Sequence, residues 1–169
     1  PENLFVIQGD LESNVDTERI KKKKIESYQI NTHSGCHLNA AMINKAMLNS
    51  DLSDKKYLLI ENVGNLVCPA NIDLGQHLNL VVSSTPEGSD KPKKYPVIFI
   101  DADLVLISKS DLEEVVDFDE GQYKRDIKNI NSKIKIFKTS SKDLDTFEKV
   151  VGFIKHERDH VFGKDHHHH

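Results

Sequence analysis

Short apolar runs alternate along the chain with stretches of helical periodicity. Leu4-Phe5-Val6-Ile7, Tyr57-Leu58-Leu59-Ile60, Leu80-Val81-Val82 and Leu104-Val105-Leu106-Ile107 are continuous apolar runs, each followed by a polar turn bearing Gly or Asp. Such runs are what a parallel sheet covered on both faces requires. Ile134 and Ile136-Phe137, alternating with lysine, predict a fifth and more exposed strand. Helical spacing runs over residues 36–49, with Leu38, Met42, Met47 and the neighbouring alanines available to face a core. It recurs over 119–130, with Tyr123, Ile127 and Ile130 on one face. A third helix is predicted over 144–158, where Leu144, Phe147, Val150, Val151 and Ile154 form a 3.6-residue stripe. This alternation predicts βαβ units and an α/β fold, a doubly wound and mostly parallel sheet in one domain.

Ligands of open α/β sheets bind beyond the carboxyl ends of the strands, so the polar residues there carry the functional reading. They are Gln8-Gly9-Asp10, Glu61-Asn62-Val63-Gly64, the turn 83–88, Ser108-Lys109-Ser110-Asp111 and Thr139-Ser140-Ser141-Lys142. Composition narrows the partners. The 23 Lys and Arg and 27 Asp and Glu are interspersed, for a net charge of -4. That argues against a nucleic-acid partner, which calls for a basic face. The basic run at 21–24 reads as a solvated helix face. No apolar run approaches the roughly 18 residues of a membrane span. With no signal peptide and only two cysteines, the expectation is a cytoplasmic protein with reduced thiols. Residues 164–169, ending in four histidines, are expected to be an expression tag and are set aside.

A carboxylate at Asp111 can accept from the N1–H and exocyclic amine of guanine, a donor pair that adenine lacks. The stem of Lys109 can lie along the base. Ser140, Ser141 and Lys142 follow the next strand and offer a second base-supporting loop. Glu61 can hold magnesium or its water shell, the Gly64 amide can meet phosphate, and Asp10 is a second carboxylate at that edge. Each carboxylate alone could equally be a helix cap or turn residue. Cys36, His37 and Cys68 offer thiolate and imidazole, which suit nickel, zinc or copper better than hard cations. Cys36 is expected at a helix N-terminus, where the dipole favours the thiolate. Three such ligands leave a coordination position open. Taken alone, the same residues read better as two buried structural cysteines.

Longer strings carry a resemblance. Ile60-Glu61-Asn62-Val63-Gly64-Asn65-Leu66-Val67-Cys68-Pro69 and Gly35-Cys36-His37-Leu38 resemble the hydrogenase nickel-incorporation GTPases, the HypB family. So do residues 88–96 and Gly9-Asp10 with Asp16 and Arg19. The resemblance implies a P-loop GTPase of the face-to-face dimerising (SIMIBI-like) class that binds GTP and Mg2+ and delivers nickel in [NiFe]-hydrogenase maturation. It implies a homodimer serving a partner nickel-insertion chaperone and the hydrogenase large subunit. It matches Cys36, His37 and Cys68 to Ni2+ or Zn2+ ligands, Asp10 and Glu61 to magnesium and switch positions, and Asp111 to the guanine reader. Lys91 and its neighbours match a segment reaching toward the partner subunit's nucleotide.

The sequence also departs from the family. His33 stands where Gly is usual, Gln8 where Glu is usual, and Ser108 where the guanine motif has Asn. No amino-terminal Cys-rich or His-rich metal motif is present. No Gly-x-x-x-x-Gly-Lys-[Ser/Thr] string occurs, so residues 1–163 are expected to be a partial G domain lacking its first strand, phosphate loop and first helix. Alternative readings are a non-catalytic metal carrier, or the sister GTPase of urease maturation, which would show Cys-Pro-His.

Overall fold

The computed structural model describes residues 3–10, 15–33 and 35–163, with the backbone alone at 10 and 15–18. The chain divides into two compact units, Pro1–His77 and Leu78–His169.

In the first unit, β1 (Leu4–Asp10) lies between β2 (Glu26–Asn31) and β3 (Tyr57–Glu61), all parallel. Phe5, Val6, Ile7 and Gln8 are all buried, as befits a central strand covered on both faces. Helix α1 (Val15–Lys22) leads into β2, and residues 21–24 are exposed as a solvated face. Helix α2 (Ala40–Leu48) is capped by Asn39, whose side chain accepts from the Met42 amide. Its Ile43 and Ala46 pack with Leu38 on Phe5 and Ile7. Met47, expected in the core, is 39% exposed, because the inward face of the helix is centred on Met42, Ile43 and Ala46. Strand β2 has no apolar run of its own; pairing along β1 makes it a strand.

In the second unit, β5 (Leu104–Ser108) lies between β4 (Leu80–Ser84) and β6 (Lys135–Lys138), again all parallel. Every residue of Leu104-Val105-Leu106-Ile107 is buried. Short helices α3 (Lys91–Lys94) and α4 (Val97–Ile100) precede β5. Helix α5 (Glu120–Ile130), capped by Asp119, buries Tyr123 and Ile127. A 3-10 turn over Leu144–Phe147 leads into α6 (Glu148–Gly163). Val150, Phe147 and Ile154 of the expected stripe meet Leu104 and Leu106. Leu144 is exposed instead, because the 3-10 turn changes the angular register ahead of the helix, and Val151 is exposed because α6 turns Val150 and Ile154 inward. Edge strands β3 and β4 expose apolar side chains, with Leu59 50% and Val82 53% accessible. Among the described residues no helix is long and apolar enough to cross a membrane.

Candidate functional site

In the first unit the candidate residues gather on the loops after β1, β2 and β3. Gly9 packs so closely on Leu38 that a Cβ there would lie 2.7–2.9 Å from three Leu38 side-chain carbons. Leu38 is fully buried and immediately follows His37. It therefore anchors the Cys36-His37 loop to the carboxyl end of the central strand. That loop opens with Gly35 donating to the Thr32 carbonyl at 2.8 Å. His33 stands in the left-handed region, φ 52°, its amide received by Asn31 Oδ1 at 2.7 Å. A glycine would adopt that backbone at less cost.

Two asparagines bind this loop to the one after β3. Asn62 Oδ1 accepts from the amides of Leu38 and Val63, each at 2.9 Å. Asn65 Nδ2 donates to the Cys36 carbonyl at 2.8 Å, while its Oδ1 accepts from the amides of Val67, at 3.0 Å, and Cys68, at 2.7 Å. One side chain thus holds the backbone of both cysteines. The exposed Cys36 thiol lies 3.6 Å from His37 Nδ1. The neighbouring Cys36 thiol, with desolvation, raises the pKa of the half-buried Cys68 thiol. Cys36 thus has both His37 and Cys68 as neighbours. Among the described residues, no three His, Cys, Asp or Glu side chains already form a metal-holding group. Two thiols and an imidazole on adjoining loops are still a donor set that fits nickel or zinc, since a soft cation binds thiolate and imidazole and displaces the thiol protons. Cys36 is not at a helix N-terminus as expected. It precedes the α2 cap because Asn39 closes that helix.

Glu61 ends β3 in register with Gln8, and Gln8 Nε2 donates to Glu61 Oε2 at 3.0 Å. The amide of Gln8 accommodates the anion that a second carboxylate would repel. Glu61 is exposed at the sheet edge, as is Gly64. The Asp10 backbone pairs with Asn31; its side chain, like that of Asp16, lies outside the described residues.

In the second unit, Asp111, Ser140 and Lys142 converge. Ser140 Oγ donates to Asp111 Oδ1 at 2.6 Å, and Lys142 Nζ lies 3.0 Å from Asp111 Oδ2. The Ser140 hydroxyl and then the Lys142 ammonium hold the Asp111 carboxyl below its usual range. Ser140 is buried, whereas Ser141, Lys142 and Lys109 are exposed. Lys109 takes a left-handed conformation, φ 55°, and its carbonyl accepts from the buried Thr85 hydroxyl at 2.8 Å. Ser110 donates to the Thr139 carbonyl at 3.1 Å, joining the two loops. Lys91 makes its contacts elsewhere, with Glu87 Oε1 at 3.5 Å and the Tyr95 ring at 5.0 Å.

The residues that sequence reading overlooked are Asn62, Asn65, Thr85 and the Gly9–Leu38 contact. A signal existed for Asn65, because asparagine side chains commonly accept from amides a few residues ahead. Nothing in the sequence pointed to its bond across to Cys36.

A family model described as the CobW/HypB/UreG nucleotide-binding domain matches residues 1–138. The hydrogenase/urease maturation factor HypB of Helicobacter hepaticus is 43% identical over 157 residues, 90% of this chain and 65% of that protein. That of Helicobacter pylori is 44% identical over 153 residues, 88% of this chain and 63% of that protein. The chain thus spans less than two thirds of the length of these curated relatives. Among solved structures, HypB from Helicobacter pylori in complex with nickel superimposes with a TM-score of 0.90 at 40% identity, over 94% of this chain and 76% of that one. HypB from Archaeoglobus fulgidus gives 0.84 at 38% identity, over 92% of this chain and 76% of that one.

Proposed function

The chain belongs to the CobW/HypB/UreG nucleotide-binding family, beside its HypB maturation factors, and from that premise we propose that it handles nickel in a GTP-dependent manner during hydrogenase maturation. The observation that carries the reading is the Asn65 clamp. It hydrogen-bonds the backbone of both candidate cysteine ligands and directly follows Gly64, the proposed phosphate-sensing glycine.

Guanine is read by Asp111, whose carboxylate stays ionised and is oriented by Ser140 and Lys142, with Lys109 along the base and Ser141 in the supporting loop. Mg2+ would supply charge neutralisation at the phosphates, and the exposed carboxylate of Glu61, with Asp10, is the hard oxygen donor it prefers. Lys91 leaves its Glu87 partner to reach nucleotide. Nickel is the cargo and zinc its competitor, both taken by Cys36, His37 and Cys68. A nucleotide-dependent shift of Gly64 moves Asn65, and with it Cys36 and Cys68, so GTP binding and homodimerisation assemble the metal site and hydrolysis loosens it. The partners proposed are a second copy, a nickel-insertion chaperone and the hydrogenase large subunit, in the cytoplasm. Both Helicobacter relatives are called hydrogenase/urease factors, so urease maturation is a further proposed client route.

The test is nickel affinity measured with a GTP analogue, with GDP and without nucleotide. Tightest binding with the analogue is expected, and three equal affinities would refute the coupling. A second reading is a metal carrier that does not turn over GTP. A GTP turnover assay separates the two.

A further inference from the structure

Helix α6 carries His156-Glu157-Arg158-Asp159-His160. Side chains four apart share a helix face. The two imidazole rings stack here with centroids 6.4 Å apart and planes 5° from parallel. Both histidines are exposed, the His156 side chain at 76%. The Glu157 carboxylate lies 3.3 Å from His156 Nδ1. A carboxylate in that place favours the proton on Nδ1 and leaves Nε2 with the lone pair that a metal requires.

We propose that His156 and His160 form a two-imidazole chelate for a borderline divalent cation such as Ni2+ or Zn2+. This site belongs to the second compact unit, whereas Cys36, His37 and Cys68 belong to the first, and it does not rest on the proposed GTP coupling. Imidazole is a good ligand for these ions. Exposed side chains can rotate from the stacked arrangement to metal–nitrogen distances of about 2.0–2.1 Å with no change in the helix. The His-Glu-x-x-His spelling also occurs in zinc peptidases, where the Glu acts as base. In this chain Glu157 is half-buried and turned to the His156 ring, and among the described residues no third ligand joins the pair. The arrangement therefore binds rather than hydrolyses. Its remaining coordination positions stay with water or a donor from another molecule, as an exchangeable site needs.

The experiment is calorimetric titration of Ni2+ into the full chain carrying Cys36→Ala and Cys68→Ala, with His166 to His169 changed to Ser. Either His156→Ala or His160→Ala should then weaken binding by more than the loss of half the imidazoles, on the order of tenfold or more. Glu157→Gln should cost roughly tenfold through the ring orientation. A relocated ligand, His160→Ala with Val161→His, keeps the histidine count but leaves the shared face, and it should not restore affinity. Nickel should also slow amide hydrogen exchange in the last turns of α6. Unchanged affinity in either single variant, or full rescue by the relocated histidine, overturns the chelate. Helical circular dichroism checks that each variant is folded, as substitution at exposed positions should leave it.

Discussion

Replacing Asn65 with alanine removes three hydrogen bonds at once, from Nδ2 to the Cys36 carbonyl and from the Val67 and Cys68 amides to Oδ1. Each such bond contributes about 0.5–1.5 kcal/mol net, so the set is worth roughly 1.5–4.5 kcal/mol. Asn65 is half-buried, and water will replace part of what is lost. About 2 kcal/mol of loop ordering is the reasonable figure. With about 1.4 kcal/mol per tenfold in affinity, Asn65→Ala should bind nickel or zinc about 30-fold more weakly. The loops lie outside the packed cluster of Phe5, Ile7, Leu38, Ile43 and Ala46. The thermal midpoint should therefore fall by no more than about 8 °C, the shift expected for a loss of about 2 kcal/mol. Asn65→Asp keeps both accepted bonds but sets an anionic oxygen against the Cys36 carbonyl, and it should bind metal no better than the alanine variant. Competition with a chromophoric chelator gives the affinity, and a thermal melt without metal gives the stability. Affinity within about threefold of the parent chain would refute the clamp. So would a much larger fall in the midpoint, which would mean that the fold, and not the loop alone, has been lost.

Gly9→Ala puts a methyl into Leu38 and should cost about 1–3 kcal/mol by overpacking, read as a lower thermal midpoint with weaker metal binding as the Cys36-His37 loop shifts. His33→Gly removes a left-handed non-glycine residue and should raise stability by about 1 kcal/mol in chemical denaturation, with metal affinity unchanged if His33 is no ligand. The Asp111 carboxyl has a depressed folded-state pKa, held there by Ser140 and Lys142. Its contribution is therefore complete above the unfolded value of about 3.9 and is lost as the pH falls through the lower folded value. Guanine-nucleotide binding should accordingly be independent of Asp111 titration down to about pH 4. Ser140→Ala should move the carbon-13 NMR titration of Asp111 upward, and an unmoved titration would show that the hydroxyl does not hold it.

Residues that act through their own segment were legible. The runs at Leu4, Tyr57, Leu80 and Leu104 became parallel strands because a continuous apolar stretch suits little else at that length. Asp119 began its helix as expected, since a cap bonds to an amide only three residues on. Strand β2 was missed because Glu26-Ser-Tyr-Gln-Ile-Asn31 has no apolar run, and its extended form is set by bonds to β1. The start of α2 was misplaced because apolar spacing continues back through Leu38, a residue that packs under Gly9 from a loop.

The same division holds at the candidate site. By itself the sequence determined the donor types, Cys36, His37, Cys68, Glu61 and Asp111, and their places after strands, because chemistry resides in side-chain identity and strand ends follow from apolar patterning. Only the tertiary structure decided that Cys36 lies against both His37 and Cys68, that Asn62 and Asn65 join their loops, and that Ser140 and Lys142 hold Asp111. Those contacts join residues on separate loops, brought together by the pairing of β1 with β3 and of β5 with β6. Their partners are chosen by packing and register, which no local pattern of hydrophobic and polar residues encodes.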